Sequence, residues 1–479
     1  MSRRRLRACL RRAASFAAAI SVLVSGCIGA SADTIEWALV QAYQNNPSLN
    51  AQRASLRSTD ENVPQALSGY RPKIVATATG GYNYSSTLSR TITQPPTAPV
   101  PNTPVYSNLG DDFASRGVGV TASQTIYNGN QTGNKTRQAE SQVMAARETL
   151  RVTEQQVLLD AATAYMDLLR DAATLDLQRS NVEVLTEQLK QTRDRFNVGE
   201  VTRTDVAQAE SRLAAGRSQL LAAQSQYVTS QAQYRRIIGV DPGHLAPGTP
   251  VDRMSPPTLP GAIALGQQQS PSVLAAMYGV DIAELQVKVN EGNLYPNLGV
   301  QASIQKAWDP AAVTLKQTQA SIIGTLTVPL YQGGAEYSSI RQAKETVGQQ
   351  RLTLDVNRDQ ARESVVQYWG ALDAAKAQIE ATTAQVNAAE IALNGVREEA
   401  RVGQRTTLDV LNAQQELVNA RVALVQAQHD RVVASYSLLA AVGGLSMQHL
   451  GLDVTIYDPQ VHYQQIRDAW VGVRIPDGR

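Results

Sequence analysis

Apolar and small side chains recur at alternating steps of three and four residues along two parts of the chain. In the first part these positions are Val182, Leu185, Leu189, Thr192 and Phe196, then Val206, Ala209, Leu213, Gly216, Leu220, Ala223, Tyr227, Ser230 and Tyr234. In the second part they are Val410, Ala413, Leu417, Ala420, Leu424 and Ala427. A 3.5-residue repeat is the seam of a left-handed coiled coil. The pattern predicts helical hairpins over residues 133–239 and 335–443.

Two other stretches alternate between apolar and polar residues, which is typical of β-strands. On one face of the first stretch lie Ile74, Ala76, Ala78, Tyr82 and Tyr84, and Gly117–Tyr127 alternates again. The second half repeats this with Leu298, Val300, Ala302 and Ile304, then Ile322, Leu326, Val328 and Leu330. We predict β-hairpins at 72–127 and 296–331. Residues 94–104 are too rich in proline for a central strand, and they predict a long loop.

One short motif occurs twice, each time between the two helices of a predicted helical hairpin. It reads Val-Gly-x-x-Thr-x-x-Asp-Val, from Val198 to Val206 and again, 204 residues later, from Val402 to Val410. A glycine followed by a Thr-x-x-Asp capping box predicts a tight turn that ends one helix and starts the next. Each copy is therefore expected to be the tip of a helical hairpin.

The tips belong to an internal duplication of the whole chain. The predicted organisation is a structural repeat at 33–245, a proline-rich linker at 246–260, a second repeat at 261–445 and a tail at 446–479. Each repeat contains a helix, a β-hairpin and a helical hairpin, so the fold class is mainly α with a β portion. Four strands cannot close a membrane barrel, which needs about eight. Either the sheet lies outside a membrane, or three chains pool twelve strands and twelve helical columns.

Residues 1–32 are predicted to be a signal peptide. Six arginines precede Asp33 and no acidic residue does, and an apolar run follows the arginines. Ala30-Ser31-Ala32 fits a cleavage site that leaves Asp33 first. The alternative is lipidation of Cys27, because the residues before it resemble a lipoprotein cleavage box. Both cysteines of the sequence lie in this segment, so a chain cut after Ala32 has no thiol.

Composition and spacing argue against several other classes of protein. The formal net charge is +2, and beyond the signal segment the chain is mildly acidic, so no nucleic acid partner is expected. The four histidines (His244, His429, His449 and His462) lack metal-ligand spacing, and no Ser-His-Asp order, P-loop or dinucleotide motif is present. No later run approaches the ~20 apolar residues of a membrane helix. We therefore predict that the protein is not an enzyme and has no metal or cofactor.

The duplicated order of strand hairpin and coiled-coil hairpin, with its two matching tips, resembles the TolC family of trimeric outer-membrane channel-tunnels. The resemblance covers the chain from about Thr34 to Leu445. It implies a homotrimer with a twelve-stranded β-barrel in the lipid of a Gram-negative outer membrane and a twelve-column α-helical barrel across the periplasm. The implied partners are a periplasmic adaptor (membrane fusion) protein and an inner-membrane ABC or proton-driven transporter.

The function implied by the resemblance is that of an exit duct for exported substrates. The tail, with Tyr457-Asp458-Pro459 and a basic end, resembles members that work in type I protein secretion. A multidrug efflux channel with a proton-driven pump is the alternative. A soluble periplasmic coiled-coil adaptor would share the helical hairpins but not the long strand hairpins. A structural filament would continue its heptads instead of interrupting them with strands.

The resemblance also assigns roles to residues of the tips. Asp409 matches a family carboxylate that rings the periplasmic constriction, where three copies would attract cations. From the residues alone, Asp205 and Asp409 each follow a threonine by three positions and are explained equally well as helix caps. Asn412 departs from the family pattern, which has a second aspartate there. This departure puts a strong cation site in doubt.

Arg405 matches a family arginine that bonds to the first tip of the neighbouring subunit, here Thr204 and Asp205. A solvated loop charge is the alternative. Ala400 replaces a family tyrosine that supports this latch, so the closed state is expected to be held less tightly.

The apex of each tip is the last candidate site. Val198, Gly199, Val402 and Gly403 match the residues that meet the adaptor in the family, and plain turn residues explain them as well.

Overall fold

The computed structural model describes residues 33–93, 103–311 and 314–476. The predicted signal peptide, with Cys27, and most of the proline-rich loop lie outside these residues. In chain order the elements are α1 (Ile35–Asn45), α2 (Pro47–Asp60), α3 (Asn62–Leu67), β1 (Lys73–Thr93), β2 (Thr103–Asn128), α4 (Gln131–Asn197), α5 (Arg203–Ile238), α6 (Leu259–Gln269), α7 (Pro271–Glu291), β3 (Asn297–Ala311), β4 (Thr314–Thr327), α8 (Ala335–Arg401), α9 (Thr407–Ala441) and α10 (Pro459–Ile466). The predicted fold class, mainly α with a β portion, is confirmed.

The predicted seam lies on three of the four long helices, and several of its residues are buried. Leu185 of α4, Leu213 of α5 and Leu417 of α9 are each about 5% exposed, because they pack between helices instead of facing solvent. Phe196 differs from the expectation and is 42% exposed. It lies one residue before the end of α4, where no further helical turn can cover it. In the described part of the chain, no helix is both long enough and apolar enough to cross a lipid bilayer.

The four strands form one antiparallel sheet in the order β1-β2-β3-β4. The strand β2 is longer than the alternating stretch 117–127 that predicted it, and it begins at Thr103. Gly110-Asp111-Asp112 interrupts the alternation, but their backbones still pair with residues 84–86 of β1. Pro104 therefore belongs to the strand, opposite Ile92 near the hairpin end. Ladder hydrogen bonds, which need no side-chain pattern, extend the hairpin beyond the sequence signal.

The chain divides into two compact units. One consists of the described residues of Met1–Gln52 with Arg151–Ser270 and Asp359–Ile456, and the other of Arg53–Leu150, Pro271–Arg358 and Tyr457–Arg479 as far as it is described. The first unit contains both tips, and the second contains the sheet. Each unit takes segments from both sequence repeats, because α4 and α8 each run from one unit into the other.

The C-terminal tail, which showed no clear pattern in the sequence, contains the short helix α10. Asp458 caps it, since its Oδ1 accepts a hydrogen bond from the Gln460 amide at 2.8 Å. His462 on this helix places Nδ1 3.0 Å from Oδ2 of Asp60, and both residues are buried. Burial raises the pKa of Asp60, and the hydrogen bond with His462 opposes this rise. The tail is thus joined to α2 by a buried polar contact.

Three arginines of the same unit contact aromatic rings of the tail. Arg53, Arg147 and Arg71 lie over the rings of Tyr457, Tyr463 and Trp470, at 5.5, 5.3 and 4.7 Å from the ring centroids. Arg71 also donates a hydrogen bond to the carbonyl of Ala469 at 2.6 Å. Cation–π contacts of this kind contribute about 0.5–1 kcal/mol each at exposed sites. Together they explain why a short helix is held at the end of the chain.

Candidate functional site

The first tip is a tight turn in which the backbone provides most of the bonds. Gly199 has φ +84°, in the left-handed region that favours glycine. Its amide donates to the carbonyl of Phe196 at 3.0 Å, and the amide of Glu200 donates to the carbonyl of Arg195 at 2.9 Å. These two bonds form a Schellman motif, which satisfies the last carbonyls of α4.

The second tip repeats this geometry. Gly403 has φ +82°, and its amide donates to the carbonyl of Ala400 at 3.2 Å. The amide of Gln404 donates to the carbonyl of Glu399 at 2.9 Å. The duplicated motif therefore folds into duplicated structure, because each glycine permits a conformation that the neighbouring residues would not adopt easily.

Both aspartates of the motif are capping-box residues. Oδ2 of Asp205 accepts from the Thr202 amide at 2.9 Å and from its hydroxyl at 2.7 Å. Oδ2 of Asp409 accepts from the amide and hydroxyl of Thr406 at 3.0 and 2.9 Å. The side-chain and backbone hydrogen bonds from Thr202 lower the pKa of Asp205, and those from the backbone and side chain of Thr406 lower the pKa of Asp409. Both carboxylates are therefore charged at neutral pH.

The apical valines point away from the chain. Val198 is 72% exposed and Val402 is 70% exposed, although both are apolar. Neither side chain contributes to the hydrophobic core of its own unit. Two exposed apolar side chains at equivalent places in a repeat are compatible with the predicted contact with another protein, and plain turn residues would not need them to be apolar.

Arg405 forms an ion pair within its own chain, with Nε 2.9 Å from Oε2 of Glu399. The hydrogen bond to Glu399 raises the pKa of the guanidinium. The first tip has the reverse arrangement, in which Nε of Arg195 lies 3.0 Å from Oε2 of Glu200. The predicted partners of Arg405 belong to another subunit. The latch to Thr204 and Asp205 therefore stays a prediction.

Asn412 contacts a residue that the sequence did not single out. Its Oδ1 accepts a hydrogen bond from Nη2 of Arg212 on α5 at 2.7 Å. The adjacent residues Leu411 and Leu213 are buried in one apolar cluster, to which α4 also contributes. This cluster brings α5 and α9 together near the tips. Since Arg212 precedes Asn412 by 200 residues, no local pattern could have indicated the contact.

A second group missed by the sequence surrounds His429 of α9. Nε2 of this buried ring lies 3.0 Å from Oδ1 of Asp167, and Nδ1 lies 2.9 Å from Oδ1 of Asp430. Nη1 of Arg170 also contacts Oδ1 of Asp167 at 2.9 Å. An imidazole donates to two carboxylates only when it is protonated. Burial alone would lower the pKa of His429, but the hydrogen bonds with Asp167 and Asp430 outweigh it and raise the pKa.

The contact of His429 should make part of the stability pH-dependent. Because the folded-state pKa lies above the ordinary value of about 6.5, the contribution is complete below that pH and is lost as pH rises through the raised pKa. We expect His429→Gln to lower the melting temperature more at pH 5.5 than at pH 9. The exposed His449→Gln is the control and should show no such difference. A loss of equal size at both pH values would contradict the charged bridge.

The chain matches a known family model over most of its length. The model, described as "Outer membrane efflux protein", matches residues 38–240 and 263–444. The gap between the two matches contains the proline-rich linker. The matched ranges contain both tips and all four strands.

Relatives and solved structures agree with this match. The chain is 40% identical over 467 residues to "Outer membrane efflux protein BepC" of Brucella suis, covering 96% of this chain and 97% of BepC. It is 27% identical over 422 residues to "Outer membrane protein TolC" of Vibrio cholerae, covering 85% of this chain and 90% of TolC. The Campylobacter jejuni CmeC outer membrane channel superposes with a TM-score of 0.72 at 17% identity, covering 92% of this chain and 94% of CmeC, which shows a shared fold.

Proposed function

Because the chain belongs to the outer membrane efflux protein family, we propose that it is the exit duct of a tripartite export system. It resides in the outer membrane and works with a periplasmic adaptor and an inner-membrane transporter. The single observation that carries the proposal is the duplicated unit, in which a strand hairpin is followed by a helical hairpin with a matching tip. A soluble coiled-coil adaptor would share the helical hairpins but not the paired strand hairpins.

The duct is a homotrimer in this proposal. In the described chain, β1 and β4 are the edges of the sheet, and each has an unpaired side. Apolar strand residues are exposed, with Ile74 at 70% and Ile322 at 81%. Open edges and apolar faces are unfavourable in water and in lipid unless further strands or acyl chains cover them. Three copies would supply twelve strands, join every edge and present the apolar side chains to outer-membrane lipid.

The first test concerns the assembly. Protein extracted in mild detergent should crosslink to a trimer and sediment as one, because a single chain leaves two strand edges open. Heating the protein that has not been crosslinked before electrophoresis should convert its trimer to monomer, and this serves as the control. A monomer that retains its β-sheet circular dichroism would contradict the proposal.

The tips are the proposed contact with the adaptor. Replacing both apical valines with aspartate, Val198→Asp with Val402→Asp, should abolish export in cells and leave the trimer intact. The side chains are exposed, so the charge costs the fold little but would be buried unpaired in an apolar contact. Leu221→Asp, an exposed apolar position on α5 away from the turn, is the matched control. If the double variant exported substrates normally, the apical valines would not be the contact with the adaptor.

The exported substrate belongs to one of two candidate classes, and a different observation favours each. The tail, with Tyr457-Asp458-Pro459, favours secreted proteins, while the similarity to BepC, an outer membrane efflux protein, favours efflux. A deletion strain should distinguish them by the proteins in its culture medium and by its sensitivity to antibiotics and detergents. Loss of a secreted protein without increased sensitivity supports the first class, and the reverse supports the second. If the deletion strain showed neither the loss of a secreted protein nor an increased sensitivity, this result would contradict the proposed duct.

A further inference from the structure

The antiparallel sheet carries three cationic side chains around one tryptophan. In the register, Arg116 of β2 lies opposite Trp308 of β3, and Trp308 lies opposite Lys316 of β4, so the three share a face. Lys306 lies two residues before the tryptophan on the same face, with Nζ 5.3 Å from the centroid of the indole ring. The three cationic side chains are exposed. Arg116, Lys306, Trp308 and Lys316 are called the basic cluster below.

The face that holds the basic cluster is otherwise apolar toward the end of the sheet where β2 leads into α4 and β4 leads into α8. Val120, Ile304, Ile322 and Leu326 lie on it and are exposed. The opposite face of β3 and β4 carries mostly Thr, Ser and Gln. Leu326 follows Lys316 by ten residues, and a strand that crosses a membrane needs about 9–11. The cluster therefore lies at one rim of an apolar band as long as a bilayer is thick.

The proposed duct identifies which rim this is, so the inference rests on the proposed function. An outer-membrane barrel turns its apolar face to lipid and its polar face to the lumen. The helices of the duct extend into the periplasm, and the strands join them at the end of the sheet opposite the basic cluster. The cluster is thus at the level of the lipid headgroups of the outer leaflet.

Acidic residues of the sheet compensate only part of the positive charge. The four strands contain three acidic residues, Asp111, Asp112 and Asp309. Asp309 lies 3.4 Å from Arg116 and offsets one charge. Asp112 shares the face but is four residues from Arg116 along β2, about 13 Å away, and Asp111 is on the opposite face. Three cations against one nearby carboxylate leave two positive charges in each chain.

A neighbouring copy of the chain does not supply the missing acid. In the proposed trimer the open edge of β4 pairs with β1 of the next copy. The strand β1 contains no acidic residue, so no register of this pairing places a carboxylate directly opposite Lys316. The sequence of the connecting residues 94–102 and 312–313 contains none either. The uncompensated charges therefore favour an anion from outside the protein.

We propose that the basic cluster binds the phosphate groups of a glycolipid headgroup in the outer leaflet. Lys306 and Lys316 are diagonal neighbours across β3 and β4, roughly 7–8 Å apart, so two ammonium groups can donate to one phosphate. Trp308 lies between the cations as part of the aromatic girdle at the membrane surface. The exposed apolar side chains beside the cluster hold the acyl chains, which a free phosphate does not have.

The experiment measures the affinity of lipid A, a phosphorylated glycolipid, for the delipidated full-length trimer in zwitterionic detergent with a chelator present. Lys306→Gln combined with Lys316→Gln should weaken binding roughly thirtyfold, about fivefold for each charge. Asp309→Asn should strengthen binding, because it frees Arg116 from its carboxylate. Asparagine tolerates the φ of +49° at this position, so the backbone should not change.

The controls separate a lipid site from a general effect of charge. Lys73→Gln removes an exposed lysine from the opposite face and the opposite end of the sheet, and it should leave the affinity unchanged. Replacing Lys306 and Lys316 by arginine keeps both charges and should keep the affinity. Lipid A without its phosphates should bind the wild type as weakly as lipid A binds the double glutamine variant.

Two results would overturn the lipid site. One is an assembled double glutamine variant that binds lipid A as tightly as the wild type does. The other is displacement of lipid A by millimolar inorganic phosphate, which would show a simple anion site. Both results leave the trimer and its export function untouched, whereas a wild-type protein that does not assemble into trimers would refute the proposed duct instead.

Discussion

Replacing Arg405 by serine is expected to raise the single-channel conductance severalfold and to make cells more sensitive to large antibiotics. The resemblance predicts that this residue latches the second tip to Thr204 and Asp205 of a neighbouring subunit. A single exposed ion pair contributes little, but threefold symmetry multiplies its effect. The fold should not change, because the guanidinium is exposed and its contact in the described chain is an ion pair with Glu399 at the surface.

The Arg405 experiment has a matched control on the same tip. Arg401 is exposed and pairs with Glu398 at 3.3 Å, so Arg401→Ser removes an equal charge without touching the predicted latch. It should leave the conductance unchanged. Asp205→Ala should act like Arg405→Ser, and the double variant should be less than additive because both changes remove one contact. If Arg405→Ser channels conduct like wild type, the latch is not here, and the helix-capping role of the aspartate at 205 is sufficient to explain it.

Replacing His462 by alanine is expected to lower the melting temperature through loss of the buried contact with Asp60. The two side chains are joined at 3.0 Å, and Asp60 is 0% exposed. Removing one partner of a buried hydrogen bond costs about 1–3 kcal/mol, since the remaining group stays out of water without compensation. Burial raises the pKa of Asp60, and the variant would lose the hydrogen bond with His462 that opposes this rise. Thermal unfolding of the assembled protein, followed by circular dichroism, measures the effect.

A conservative variant shows whether the hydrogen bond is responsible. The amide of His462→Asn can donate from nearly the same position as Nδ1, so it should recover much of the loss. His449→Ala removes an exposed histidine and should change the melting temperature little. If His462→Ala melts at the wild-type temperature, the cation–π contacts of the tail are sufficient to hold it.

The sequence by itself determined the elements whose causes are local. The 3.5-residue repeat predicted both helical hairpins, and the buried seam residue Leu213 follows from the same periodicity. The Val-Gly-x-x-Thr-x-x-Asp motif predicted both tips, because a left-handed glycine and a capping box act within a few residues. Gly199 and Gly403 adopt this conformation as predicted. The order of strands and helices within each repeat could be predicted for the same reason.

Local signals were insufficient where the alternation of the strand was broken. The hairpin of β1 and β2 extends well beyond the alternating residues, since backbone pairing continues across the glycine and aspartates at 110–112. The small helix α10 gave no usable pattern, because eight residues are too few for a clear period and its stability comes from partners elsewhere in the chain. Its buried contact joins residues 402 positions apart.

Only the tertiary structure decided which polar side chains meet. Arg212 and Asn412 are 200 residues apart, and His429 and Asp167 are 262 residues apart. Periodicity places each of these side chains on a helix face but does not say which helix lies opposite, since many pairings bury the same apolar seam. The division into two compact units has the same origin, because long helices carry each sequence repeat through both units. Coiled-coil periodicity specifies that a face is buried, and the packing of particular side chains determines its partner.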